Sequence, residues 1–199
     1  ASRMSVTLEV NDCMTGVDAE AMHKDLDEEL VKADAEFERA AKVSPDYGEA
    51  WMNRGVVAIL QQNPEAAIEH LEKALQYPAR LVDPALTRAH LGWAYFYKED
   101  HVEAAKQLLE ALQFHPGMCI ATYRLGRVYF AREEWEKAAE QFQGVTDDTN
   151  CGNRQEASLF LMKARTEQGL LDDAKLARDA CIQMAPKSCL AAQCRTADL

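Results

Sequence analysis

The sequence predicts an all-α fold, a superhelical solenoid of antiparallel helix pairs, and three observations predict it. Small residues recur in phase: Gly55, Gly92 and Gly126 at intervals of 37 and 34, and Ala67, Ala104, Ala138 and Ala174 at intervals of 37, 34 and 36. The composition favours helix, with only 9 Gly and 6 Pro in 199 residues and abundant Ala, Glu and Leu. Apolar runs of period two are missing apart from a short MSVTLEV at 4–10.

The clearest unit is residues 85–118, ALTRAHLGWAYFYKEDHVEAAKQLLEALQFHPGM. Leu91-Gly92, Tyr95, Ala104, Leu108, Ala111 and Pro116 stand at the offsets of a tetratricopeptide (TPR) repeat, a helix–turn–helix of about 34 residues. Gly92, Ala104 and Ala111 let two helices approach closely, and Leu91, Tyr95 and Leu108 fill the space around them. Pro116 ends the second helix because proline cannot continue the hydrogen-bond ladder. Such a pair cannot bury its apolar face alone, so it needs neighbours on both sides.

The other units follow in order. Residues 1–13 read as an N-terminal tail, and 14–188 as the repeat array. Residues 14–47 form a degenerate first repeat: Ala33, Phe37, Ala40 and Pro45 fit, but the first half lacks the glycine and the aromatic residue. Asp18 is a candidate helix cap, and one continuous helix from about 18 to 43 is the alternative. Residues 48–81 are a full repeat with Trp51, Gly55, Ala67, Leu71, Ala74 and Pro78, broken by the QQNPE turn. After the third repeat at 85–118 comes a fourth at 119–152, with Leu125, Gly126, Tyr129, Ala138 and Phe142. The fifth, 155–188, is the least regular, with Leu161, Gly169, Ala174 and Pro186. Residues 189–199 are expected to form a short closing helix.

A formal net charge of −11 argues against nucleic acid or an anionic membrane surface as partner. No apolar run is long enough to span a bilayer. The six cysteines, mostly in predicted loops or near termini, fit disulfides and an oxidising compartment, which implies a secretion signal upstream of residue 1. Cys181 occupies the position held by Ala74 and Ala111 in other repeats, a position that faces the next helix. That next helix carries Cys194, so a Cys181–Cys194 disulfide is expected. Cys151 is expected to pair with Cys119 or Cys189. Cys119 is preferred because Cys119 and Cys151 bracket the same helix pair, and Cys13 is left with no obvious partner.

The sequence carries no H-E-x-x-H, no phosphate-binding glycine loop and no G-x-S-x-G, and its five histidines are scattered. The cysteines lack the spacing of a zinc or haem site. The expectation is therefore a non-enzymatic protein with no cofactor and no metal, binding another protein. In a TPR array the first helix of each pair lines the concave side. There the positions not already assigned to packing are Met52, Asn53 and Val56; Trp93, Phe96 and Tyr97; Tyr123, Arg124, Arg127 and Phe130; and Phe160 and Lys163. Aromatics and arginine are enriched in binding hot spots. A basic groove in an acidic protein favours a partner segment that carries carboxylates. Asn53 alone does not make the Lys/Asn set of a carboxylate-clamp co-chaperone.

Three stretches carry a more particular likeness: the long join QYPARLVDP before AHLGWAYFYKEDHVEAAKQLLEALQFHP, the repeat ATYRLGRVYFAREEWEKAAEQF, and the irregular NRQEASLFLMKARTEQGLLDDAKLARDACIQMAPKS. Over roughly 48–188 the chain resembles the TPR pilotins of type IV pilus secretins. The resemblance implies an outer-membrane lipoprotein facing the periplasm, which binds secretin subunits and promotes their multimerisation for pilus formation and motility. The lipid-bearing cysteine and its lipobox are not in this sequence, and Cys13 lacks the apolar run that would precede one. Any membrane contact is thus expected only through a lipid anchor beyond it. The pilotins usually have six repeats, against five and a remnant here.

Overall fold

The computed structural model describes residues 17–198. The tail at 1–13, with Cys13, lies outside them, as does the side chain of Asp18. The fold is all-α and of the TPR solenoid class, and no strand occurs among the described residues. No helix among them is long and apolar enough to cross a membrane. The chain forms two compact units that meet in sequence at Gln107 and Leu108.

The first unit begins with α1 (Val17–Val43), a single helix of 27 residues. The sequence offers no Gly or Pro to break it, and the continuous helix is what forms. Behind it come α2 (Gly48–Leu60) and α3 (Pro64–Leu75), then a 3₁₀ turn at Pro78–Arg80, α4 (Pro84–Tyr97) and the start of α5 (His101–Phe114). Among the described residues, three helix starts in this unit are fixed by side chains, that of α5 by Asp100 Oδ1, which accepts from the Glu103 N–H at 3.1 Å. Asn63 Oδ1 accepts from the Ala66 N–H at 3.2 Å, and Asp83 Oδ1 from the Leu86 N–H at 3.0 Å, each with proline at the first helical position. Ala58, Ile59, Ala67, Ile68, Leu71, Leu91, Trp93 and Ala94 form the core of this unit. At its edge the Tyr95 hydroxyl donates to Glu72 Oε1 at 2.8 Å, and burial together with that bond pushes the phenol pKa up to about 12. Arg54 pairs with Asp34 at 2.8 Å, holding α2 to α1.

The second unit holds the end of α5, then α6 (Cys119–Ala131), α7 (Trp135–Asp147), α8 (Arg154–Glu167), α9 (Leu171–Met184) and the closing α10 (Cys189–Thr196). Its core runs through Tyr123, Ala138, Phe142, Val145, Leu159, Leu161, Met162, Ala174 and Cys181. Gln155 joins α8 to the cap: its Nε2 donates to the Cys181 carbonyl and to Ser188 Oγ, both at 2.8 Å. Ser188 Oγ in turn accepts the Ala191 N–H at the start of α10.

The turn inside each pair has one backbone solution. Gln62, Glu99, Glu133 and Gly169 all take left-handed φ, between 57° and 73°. The residue after each donates its N–H five residues back: Asn63 to Ala58, Asp100 to Tyr95, Glu134 to Tyr129 and Leu170 to Arg165, at 2.9–3.0 Å. This is the Schellman closure of a helix C-terminus.

The in-phase glycines are close-approach positions. A Cβ on Gly126 would lie 2.7 Å from the Phe142 ring, and one on Gly55 would strike the Leu71 side chain. Gly144, near the end of α7, has nothing nearer than Thr122 at 4.0 Å. Gly126→Ala and Gly55→Ala should each cost about 1–3 kcal/mol by overpacking, whereas Gly144→Ala should add about 0.5–1 kcal/mol. Urea titration of the three variants checks the signs.

Two disulfides have both cysteines among the described residues, Cys119–Cys151 and Cys181–Cys194, with Cα–Cα distances of 5.5 and 6.5 Å. The first ties the start of α6 to the loop after α7, and the second ties α9 to α10. Cys189 is also disulfide-bonded. Cys194→Ala opens a loop with a sequence separation of 13 and should cost roughly 3 kcal/mol. Cys119→Ala opens one of 32 and should cost roughly 4 kcal/mol. Denaturation with and without reductant measures both, and reductant should erase the difference between each variant and the parent.

Candidate functional site

Helical phase places the candidate residues in two groups, one in each unit. In the first unit the apolar stripe of α4 is wide. Trp93 is only 2% exposed and belongs to the core, so it does not line an open groove. It stacks on Phe96 at 4.5 Å with an interplanar angle of 2°, and Tyr97 meets it edge-on at 5.1 Å. Phe96 is half-buried and Tyr97 exposed, so these two carry the aromatic set to the surface. On α2, Met52, Asn53 and Val56 are half-buried. Met52 packs against the same core, and Asn53 Nδ2 donates to the Glu49 carbonyl at 2.8 Å, which turns it back onto its own helix.

In the second unit Tyr123 and Arg124, 1% and 3% exposed, are likewise interior and do not face outward as expected. The first helix of a TPR pair is covered by its own partner and by the flanking pairs, so much of its circumference is enclosed. Tyr123 packs against Phe142 at 5.9 Å.

Around Phe160 the expected residues do converge. The Arg127 guanidinium lies 4.1 Å over the Phe160 ring and donates to the Tyr123 hydroxyl at 3.1 Å. Lys163 Nζ sits 5.2 Å from the same ring. Phe130 meets Phe160 edge-on at 5.5 Å and Trp135 at 4.9 Å. Phe130, Arg127 and Phe160 are half-buried and Lys163 is exposed. Two cations at the rim of a rigid aromatic cluster form a surface that can take a carboxylate and an apolar side chain together. Trp135 is a member that the sequence reasoning missed. It begins the second helix of its pair, outside the first-helix positions that line the concave side.

Among the described residues one group of side chains has metal-ligand proximity, Cys119, Asp148 and Cys151. Its two sulfurs are joined in the disulfide, and Asp148 Oδ1 accepts from the backbone and side chain of Asn150.

Paired helices in phase, with a rigid aromatic and cationic face, define a helical-repeat scaffold for protein–protein interaction. A tetratricopeptide-repeat family model matches residues 31–80 and 90–151, and the chain belongs to that family. No curated protein sequence matches it significantly. Solved structures resemble it in fold. MamA aligns at 21% identity with a TM-score of 0.68, over 87% of this chain and 97% of MamA. PilF of Pseudomonas aeruginosa aligns at 21% identity with a TM-score of 0.69, over 81% of this chain and 71% of its own. PilW, a type IV pilus biogenesis factor, aligns at 16% identity with a TM-score of 0.61, over 88% and 95%.

Burial separates core from face by experiment. Trp93→Ala and Tyr123→Ala should each cost about 3–5 kcal/mol of stability. Lys163→Glu, on an exposed side chain, should change it by less than about 1 kcal/mol. Thermal unfolding followed by circular dichroism reads all three.

Proposed function

We propose that this chain is a non-enzymatic assembly factor, a pilotin. In this reading it binds secretin subunits through the face around Phe160 and promotes their multimerisation in the outer membrane, for type IV pilus formation and pilus-driven motility. It works at the periplasmic face of that membrane, held by a lipid anchor outside the sequence described. Within the pilotins our reading of the sequence is Tgl-like.

The observation that carries the proposal is the cluster of Arg127, Phe130, Phe160 and Lys163, a preformed site for an apolar, carboxylate-bearing protein segment. The sequence resemblance supplies the identity of the partner, and the likeness in fold to PilW agrees with it. Buried disulfides suit an oxidising compartment. MamA shares the fold as well, with a TM-score of 0.68, and the second reading, which the repeat fold alone supports, is a TPR adaptor or co-chaperone for another complex.

Deleting the gene should abolish secretin multimers on gels, and the native protein should restore them. Phe160→Ala combined with Lys163→Glu should fold normally but lower secretin co-purification at least tenfold, in keeping with hot-spot truncation of about 2 kcal/mol. Normal multimers in the deletion strain would exclude the pilotin role. Lost multimers with full co-purification by the double variant would keep the role but move the binding face elsewhere.

A further inference from the structure

Helix α8 has a second working face. Phe160 and Lys163 point to one side, while Arg154, Ser158, Leu161 and Arg165 repeat at helical spacing on the other. That other side lines a groove of about 440 Å³ walled by α7 and α9.

The apolar part of the groove is Leu161 with Leu176, Ala177, Ala180 and Met184 of α9. Leu176 is 70% exposed, an aliphatic side chain left in water beside a concave surface. Ser158 lies at the floor, fully buried, and its hydroxyl has no hydrogen-bond partner. A buried hydroxyl in that state gains from any ligand group that reaches it.

Two arginines mark the ends. Residues 154 and 165 are three helical turns apart, about 16 Å along the axis. Both are half-buried, and each has one bond, to an uncharged acceptor. Arg154 Nε donates to the Thr146 carbonyl at 2.8 Å, and Arg165 Nη1 to Gln168 Oε1 at 3.0 Å. Neither makes an ion pair among the described residues, in a chain with 33 acidic and 22 basic side chains. Asp147 and Asp173 also line the groove, but both are exposed and hydrated, and Asp147 already accepts from Gln143 at 2.8 Å. A half-buried guanidinium with most of its five donors unused gains more from an incoming counter-charge than a hydrated carboxylate does.

We infer that this groove is a second protein-docking site. It takes a segment of a partner that presents an aliphatic side chain flanked by carboxylates, the aliphatic group over Leu161, Leu176 and Ala177 and the carboxylates on Arg154 and Arg165. The site is separate from the face around Phe160, so one repeat pair engages two segments at once.

Fluorescence anisotropy of the whole protein with a short fluorescein-labelled peptide of leucine and glutamate tests this at physiological salt. The peptide should bind saturably. Leu176→Asp and Arg165→Glu should each weaken it at least tenfold, Ala180→Trp should block it by filling the groove, and Lys32→Glu, on an exposed side chain of α1, should leave it unchanged. Circular dichroism confirms that each variant is folded, and with three variants the test survives the loss of one. The inference is overturned if the peptide fails to bind, if the matching leucine–lysine peptide binds more tightly, or if Lys163→Glu rather than the groove variants removes binding.

Discussion

The width of one methyl group between paired helices is the constraint on which this structure depends. At Gly126 the ring of Phe142 occupies the space a Cβ would need. Phe142 therefore lies flush against α6, where it meets both Tyr123 and Phe160 at under 6 Å. Phe160 in turn supports Arg127 and Lys163. The surface cations are thus positioned by a chain of ring contacts that begins at a residue without a side chain. The same relation holds between Gly55 and Leu71, and there it seats the core against which Trp93 packs.

The repeat was legible because it depends on small residues that must recur in register. Gly55, Gly126, Ala67, Ala138 and Ala174 are spaced by packing, and packing leaves a period in the sequence. The Cys181–Cys194 disulfide was legible for a related reason, since repeat phase tells which position of a helix faces the next one, whereas the sequence left Cys151 a choice between Cys119 and Cys189. The site was legible only in part. Helical spacing grouped Arg127, Phe130, Phe160 and Lys163 correctly, but it could not tell that Trp93, Tyr123 and Arg124 are enclosed, because enclosure depends on helices distant in sequence. The groove beside α8 was invisible for the opposite reason: Ala177, Ala180 and Ser158 shape it by what they lack, and missing volume leaves no motif. The unbroken α1 shows how far degeneracy can go, for a half-matching repeat needs only its second half to pack on α2.

An array of repeats has an end problem, since its last pair exposes a face that a neighbour would otherwise cover. Here the cover is α10, a helix of eight residues that is too short to persist alone. Tethers substitute for buried area, among them the Cys181–Cys194 bond, the Ser188 cap, and Gln155 reaching across from α8 to both. The amide of Gln155 is the hub, because it satisfies a carbonyl of α9 and the capping hydroxyl with the same nitrogen.

Four turns share one left-handed geometry, yet only Gly169 is the residue type that geometry prefers, having no Cβ to clash. Gln62, Glu99 and Glu133 adopt it against their own inclination, which for an L-residue costs about 1–2 kcal/mol. The turn is therefore dictated by the two helices it joins and not by its own sequence. Each helix pair behaves as a self-contained cassette that imposes its own closure, so the residue at the bend is free to vary as long as the two helices keep their packing, and the backbone path within the pair stays fixed.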